Sequence, residues 1–340
     1  MPNEAEKLIL RHTYLERYSA HLTSEVLKAY APLEEELLNL FAAFERDATP
    51  AELDAFRRST LSNPRVRALH KNVADLFSQI EKNILAITSV ELDMLASSEV
   101  AFTGKILNQT GIAVAGNAIL KEPVLGIGLT SAWSQFGDGG FKRTITAAVR
   151  GSQEGAPLTT FLKGSSAAGY TDGTLMQFSR QAATLVNTQV LGVANNARIA
   201  TYKKATVSKT ITAATLDFRT TPICRIRDGD VYDVGKAPPP PYHYNCRTII
   251  VPYDGKAIER PFVKDSRPVK RIPKDQRGKK IGRTTLTYKQ WFDQLPTKHQ
   301  KEILGPARYK LYNEGRATLK QMVNMRTGKQ YTLKQLDNLI

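Results

Sequence analysis

Four consecutive prolines, Pro238, Pro239, Pro240 and Pro241, constrain the fold of this chain more than any other feature. Proline cannot donate to a helix or to the ladder of a central strand, and a proline run is a stiff, extended rod without internal hydrogen bonds. The rod sets a fixed separation between the segments on its two sides. Directly after it come Tyr242, His243, Tyr244, Asn245, Cys246 and Arg247, then the apolar, strand-like residues 248–251. Upstream lie Asp217, Arg219, Cys224 and the pair Asp228-Gly229. Residues 216–252 therefore read as a compact knuckle, and they hold both cysteines of the protein.

The knuckle admits several chemistries. His243 and Cys246 form a His-x-x-Cys pair that begins nineteen residues beyond Cys224, a separation that a zinc-ribbon-like knuckle allows. A closed structural zinc site needs four ligands, and this stretch offers three soft ones. Position 221, where a Cys-x-x-Cys would place its missing member, is Thr221, so a carboxylate from Asp217 or Asp228 would have to complete the set. Alternatively, Cys224 and Cys246 form a disulfide, which would add about 3 kcal/mol in an oxidising compartment. The simplest reading is two small, reduced, buried thiols on neighbouring strands, with His243 hydrogen-bonded where the rod turns. That reading expects no cofactor, zinc being the one candidate. Cysteine, histidine and aspartate are also ingredients of nucleophilic catalysis, and a histidine near cysteines and carboxylates is a combination found in metal-dependent nucleases. Against catalysis, no second histidine lies nearby, and there is neither a Ser-centred elbow nor a Gly-rich phosphate loop followed by lysine.

The order Asp217, Arg219, Thr220, Cys224, Asp228-Gly229, four prolines, His243, Asn245, Cys246, Arg247, then an apolar strand ending in Pro252, resembles the Mu F-like head morphogenesis, or minor capsid protein, family of tailed bacteriophages. The resemblance extends from about residue 173 into the C-terminal segment. It implies a minor structural protein, present in few copies inside the phage head near the portal, that helps head assembly and DNA packaging or ejection without catalysing a reaction. The portal and other head proteins would be its partners. Two rival classes stand beside it: a nuclease-like, metal-dependent enzyme using the knuckle, and a stand-alone nucleic-acid-binding protein.

Charge is unevenly placed. The chain carries +16 overall, yet residues 1–100 hold 11 basic and 16 acidic side chains, which leaves +21 for residues 101–340. Such polarisation suits two partners of different kinds. Residues 255–283 contain eleven basic and three acidic side chains, with Pro261, Pro268 and Pro273 interrupting any helix. This composition predicts an extended arm whose natural partner is a polyphosphate. Lys264, Arg267, Lys270, Arg271, Lys274, Arg277, Lys279, Lys280 and Arg283 are its candidate contacts with double-stranded DNA. No recognition helix or series of stacking aromatics accompanies them, so the contact is expected to ignore base sequence. No run of eighteen apolar residues occurs and no apolar block follows the acidic start, which predicts neither a membrane span nor a signal peptide. Synthesis in the host cytoplasm and residence in the virion are the corresponding expectations.

Apolar spacing predicts an α+β fold. Residues 4–47 read as one long helix or two abutting ones, divided at Pro32. Thr49-Pro50-Ala51-Glu52 is a capping box, and Asn63-Pro64 opens a second long helix that runs to about residue 95. Across residues 111–173 glycines cluster and helical periodicity weakens, so Trp133 and Phe136 read as anchors of a flexible loop and residues 126–129 as simple turns. A strong helix returns over 174–205, followed by a strand over 206–216. Asp228-Gly229 predicts a hairpin between 224–226 and 231–232, making a small antiparallel sheet against the long helix. From Thr287 onward, short helices start at Thr287, Pro296 and Pro306 around Trp291. The expected regions are a helical region (1–110), the Mu F-like module (111–254), a basic proline-containing linker (255–283) and a C-terminal helical segment (284–340).

Overall fold

The computed structural model describes residues 4–109, 111–164, 172–263 and 281–340. Its helices are α1 (Glu4–Asp47), α2 (Pro50–Arg57), α3 (Pro64–Ile106), α4 (Gly116–Leu120), α5 (Leu129–Gln153), α6 (Thr160–Lys163), α7 (Thr174–Lys204), α8 (Pro222–Arg227), α9 (Tyr288–Asp293), α10 (Thr297–Leu304), α11 (Pro306–Asn313) and α12 (Leu333–Asp337). Its strands are β1 (Lys209–Ala213), β2 (Val231–Asp233), β3 (Ile249–Pro252), β4 (Arg260–Val263) and β5 (Ile281–Thr284). The fold is α+β, as the spacing predicts. The chain divides into two compact units. A helical unit comprises residues 17–94 and 120–190, and a mixed unit comprises 1–16, 95–119 and 191–340. Helices α1, α3 and α7 each contribute residues to both.

In the helical unit, α1 passes Pro32 without a break. Pro32 removes one backbone donor, but it sits on the exposed face while Tyr30, Leu33, Leu37 and Phe41 keep the buried stripe continuous. The Thr49 capping box forms as expected, with Glu52 bonding back to the Thr49 backbone. Asn63 Oδ1 accepts the Arg65 and Val66 N–H groups that open α3.

The glycine-rich stretch departs from expectation. It contains the 25-residue helix α5, and Trp133 and Phe136 are buried on that helix instead of anchoring a loop. Glycine disfavours helix by about 1 kcal/mol per residue, which hides the helix in the sequence, but packing requires it here. A Cβ on Gly140 would lie 2.4 Å from the Phe178 ring and 2.5 Å from the Phe77 ring. Gly140→Ala is therefore expected to destabilise this unit by about 1–3 kcal/mol. Gly139→Ala, whose Cβ meets only the Arg143 side chain at 3.3 Å, should be neutral or stabilising by up to about 1 kcal/mol. Urea unfolding of the two variants tests the contrast, and equal effects would refute the packing argument.

In the mixed unit, α3 runs on to Ile106, beyond the expected end near residue 95. Its extra turns place a charge on the buried stripe. Glu99, with no exposed side-chain surface, binds Arg11 at 2.7 Å and the equally buried Arg198 of α7 at 3.0 Å. The sheet has order β2-β1-β3 and is antiparallel, pairing Ile211 with Val231 and with Val251. Ala213, Ile249, Ile250 and Val251 pack with Leu8 and Tyr202. Asn195, buried on α7, ties that helix to the sheet by accepting from Ile250 N–H and donating to Thr248 O.

The expected hairpin over Asp228-Gly229 is not present. Residues 222–227 form α8, started by Pro222 at its first position, and β2 pairs with β1. Asp228 serves another purpose. Its fully buried carboxylate binds Arg260 of β4 through both oxygens at 2.6 Å, and accepts the Ala214 and Tyr288 N–H groups at 2.7 and 2.6 Å. One side chain thus joins the end of β1, β4 and the start of α9. Beyond it, α9 to α11 begin where the sequence predicts, and Trp291 packs with Leu216, Tyr288, Phe292, Leu304 and Leu319.

Candidate functional site

Every knuckle residue belongs to the mixed unit. Thr221 is extended and Pro222 starts α8, so Cys224 faces inward one turn into a short helix, not on a strand. On the other side of the proline run, whose Pro240–Pro241 peptide is cis, Asn245 takes a left-handed conformation (φ +57°) that asparagine tolerates better than most residues. That turn, closed by Cys246 N–H donating to His243 O, brings Cys246 back beneath His243. Arg247 then clamps Asp217 with two parallel bonds of 2.6 and 2.9 Å. Burial alone would raise the Asp217 pKa, but the bonds from Arg247 outweigh it and hold the carboxyl below its usual range. Asp217 Oδ1 also accepts the Arg219 N–H, and Tyr288 OH donates to the Asp217 carbonyl. The clamp fixes the two ends of the knuckle to each other.

Inside this frame three soft atoms converge. Cys224 Sγ lies 3.6 Å from Cys246 Sγ and 3.2 Å from His243 Nε2. His243 Nδ1 is 2.7 Å from the Tyr244 carbonyl and must donate to it, so Nε2 carries the lone pair. Thr221 Oγ1, 2.7 Å away, donates to that nitrogen. The Cys224 thiol is then free to donate to the Cys246 sulfur. That hydrogen bond, assisted by His243, pulls the Cys246 pKa down and pushes that of Cys224 up. Burial alone would lower the His243 pKa, but the neighbouring Cys246 sulfur and the bond to Tyr244 O favour the charged ring and shift it upward. The cysteines are free thiols.

Beside the cluster opens a cleft of about 170 Å³. Its polar lining includes Arg219, Thr220, Thr221, His243, Asn245 and Thr248. Among the described residues, Cys224, His243 and Cys246 are the group of His, Cys, Asp and Glu side chains able to hold one ion, with ligand atoms within 4.8 Å of one another. Asp217 and Asp228, the carboxylates the sequence offers as a fourth ligand, are committed to Arg247 and Arg260.

The structure thus brings together Asp217, Arg219, Cys224, His243, Asn245, Cys246 and Arg247. The basic candidates fare differently. Lys264, Arg267, Lys270, Arg271, Lys274, Arg277, Lys279 and Lys280 lie outside the described residues. Arg283, on β5, pairs with the buried Glu6. β4 and β5 pair antiparallel on either side of residues 264–280. Arg260, part of the same basic run, is buried on Asp228. Sequence reasoning missed the Asp228–Arg260 and Glu99–Arg198 pairs. It also passed over His12, whose ring nitrogens are buried without a hydrogen-bond partner among the described residues and whose pKa falls to about 3 through burial and then the charges of Arg198 and Arg247.

Residues 142–251 match the family model described as phage Mu protein F like protein. The match starts inside α5 and ends in β3, so it begins upstream of the resemblance read from the sequence and leaves out the C-terminal segment. No curated protein and no solved structure matches the chain. No described helix is long and apolar enough to cross a membrane.

Proposed function

We propose that this chain is a head-morphogenesis protein of a tailed phage: a minor head component inside the capsid near the portal, aiding assembly and DNA packaging or ejection. The observation that carries the reading is the Mu F-like match over residues 142–251. The knuckle acts as scaffolding in it. Asp217 is spent on Arg247 and His243 Nδ1 on a backbone carbonyl, which ties both ends of the loop down. In heads assembled with the chain, it should co-purify and resist external protease until the shell is opened. Its absence from purified heads would overturn the proposal.

Double-stranded DNA is the second partner we infer, and charge supports it. Residues 264–280 carry eight basic and two acidic side chains. The excess of acidic side chains over residues 1–100 suits a protein partner instead, the portal or another head protein. If about six phosphates are neutralised, affinity for a short duplex should fall about a thousandfold between 50 and 200 mM salt. Duplexes of different sequence should bind alike. Fluorescence anisotropy with wild type and a variant carrying glutamine at the eight basic positions checks this. Salt-independent binding, or an unaltered variant, would remove DNA from the proposal.

A further inference from the structure

We propose that Cys224, His243 and Cys246 bind one Zn²⁺ as a three-ligand site whose fourth position opens onto the neighbouring cleft. Four observations carry this, and none depends on the phage reading. The first is spacing. Two thiolates about 2.3 Å from a tetrahedral zinc lie about 3.8 Å apart, and a thiolate and an imidazole nitrogen about 3.6 Å apart. Here the separations are 3.6 Å for the sulfurs and 3.2 Å from Cys224 Sγ to Nε2, and all three ligand atoms lie within 4.8 Å of one another, so small side-chain shifts would admit the ion. The second is orientation. A zinc-bound histidine characteristically donates its other ring N–H to a carbonyl or carboxylate, and His243 Nδ1 does so to Tyr244 O, which aims Nε2 at the sulfurs.

The third is chemistry. A pair of adjacent, buried thiols and a neutral imidazole form a donor set suited to a d¹⁰ ion such as zinc. With both sulfurs bound as thiolates, the centre of two thiolates and one Zn²⁺ is neutral. The fourth is access. Cys224 and His243 line the cleft, and so does Thr221, which brings a hydroxyl instead of a thiol to 2.7 Å from His243 Nε2. Asp217 and Asp228 are held by arginines. Zinc with three protein ligands keeps its fourth place for water or an incoming ligand, and Arg219 at the cleft favours an anionic one.

Cobalt(II) substitution of the full-length, reduced protein reads both halves of the proposal. One equivalent of Co²⁺ should produce a thiolate-to-cobalt charge-transfer band and the intense visible bands of a four-coordinate ion, all displaced by Zn²⁺. Cys224→Ser and Cys246→Ser should each lose about half of the charge-transfer intensity, as expected when one of two thiolates is removed. Circular dichroism of each variant establishes that it is folded. Azide should shift the visible bands, because an open position exchanges its ligand. Thr221→Cys should add a third thiolate contribution and abolish the azide shift. Failure of the folded wild-type protein to take up Co²⁺ or Zn²⁺ would overturn the site. Uptake with bands that azide leaves unmoved would overturn the open position.

Discussion

Replacing Asp228 by alanine is expected to destabilise the mixed unit by about 3–5 kcal/mol, the range for removing one partner of a buried ion pair. The substitution leaves the Arg260 guanidinium, only 7% exposed, without its counter-charge. It also orphans the Ala214 and Tyr288 N–H groups, each of which costs free energy when buried without an acceptor. Asp228→Asn, which keeps an acceptor but not the charge, should fall between alanine and wild type. The two tryptophans allow a clean measurement, since Trp133 lies in the helical unit and Trp291 in the mixed one. In a Trp133→Phe background, urea unfolding followed by Trp291 fluorescence reports the mixed unit alone. A loss under about 1 kcal/mol would show that Asp228 does not join β1, β4 and α9.

Glu99→Ala should be comparably severe, about 3–5 kcal/mol. Glu99 is the partner of Arg198, which is wholly buried and whose Nε and Nη1 have no other partner among the described residues. The decisive comparison is the double variant Glu99→Ala with Arg198→Met. Exchanging a buried pair for apolar side chains is often close to neutral, so the double variant should recover most of the loss. Double-mutant thermal unfolding that shows simple additivity would mean that the two side chains do not act as a pair.

The sequence makes some parts of this architecture plain and conceals others for definable reasons. Helix starts are legible wherever a cap and a proline coincide, at Thr49-Pro50, Asn63-Pro64 and Pro306. The knuckle is legible as a cluster because its residues are close along the chain. The concealed parts involve distant partners. The last turns of α3 carry Glu99 and Thr103 on the buried face, so a search for apolar spacing stops at Leu95. Helix α5 is hidden by glycines that serve the Phe77 and Phe178 rings. Asp228 carries the same dipeptide signal as a hairpin, and only Arg260, 32 residues on, reveals its use. Thr221 stands in the sequence as the missing fourth cysteine, and its hydroxyl lies on the His243 ring.

The sharing of α1, α3 and α7 between the two units has a practical consequence for dissecting the molecule. Neither unit is a continuous stretch of gene, so no pair of start and stop codons can express one without a piece of the other. A clone limited to residues 142–251 would begin midway through α5 and lack Glu99, Arg260 and Tyr288, the partners that satisfy its buried charges and N–H groups. Swapping material between related chains should accordingly succeed by whole-chain exchange or point substitution, and fail by cassette.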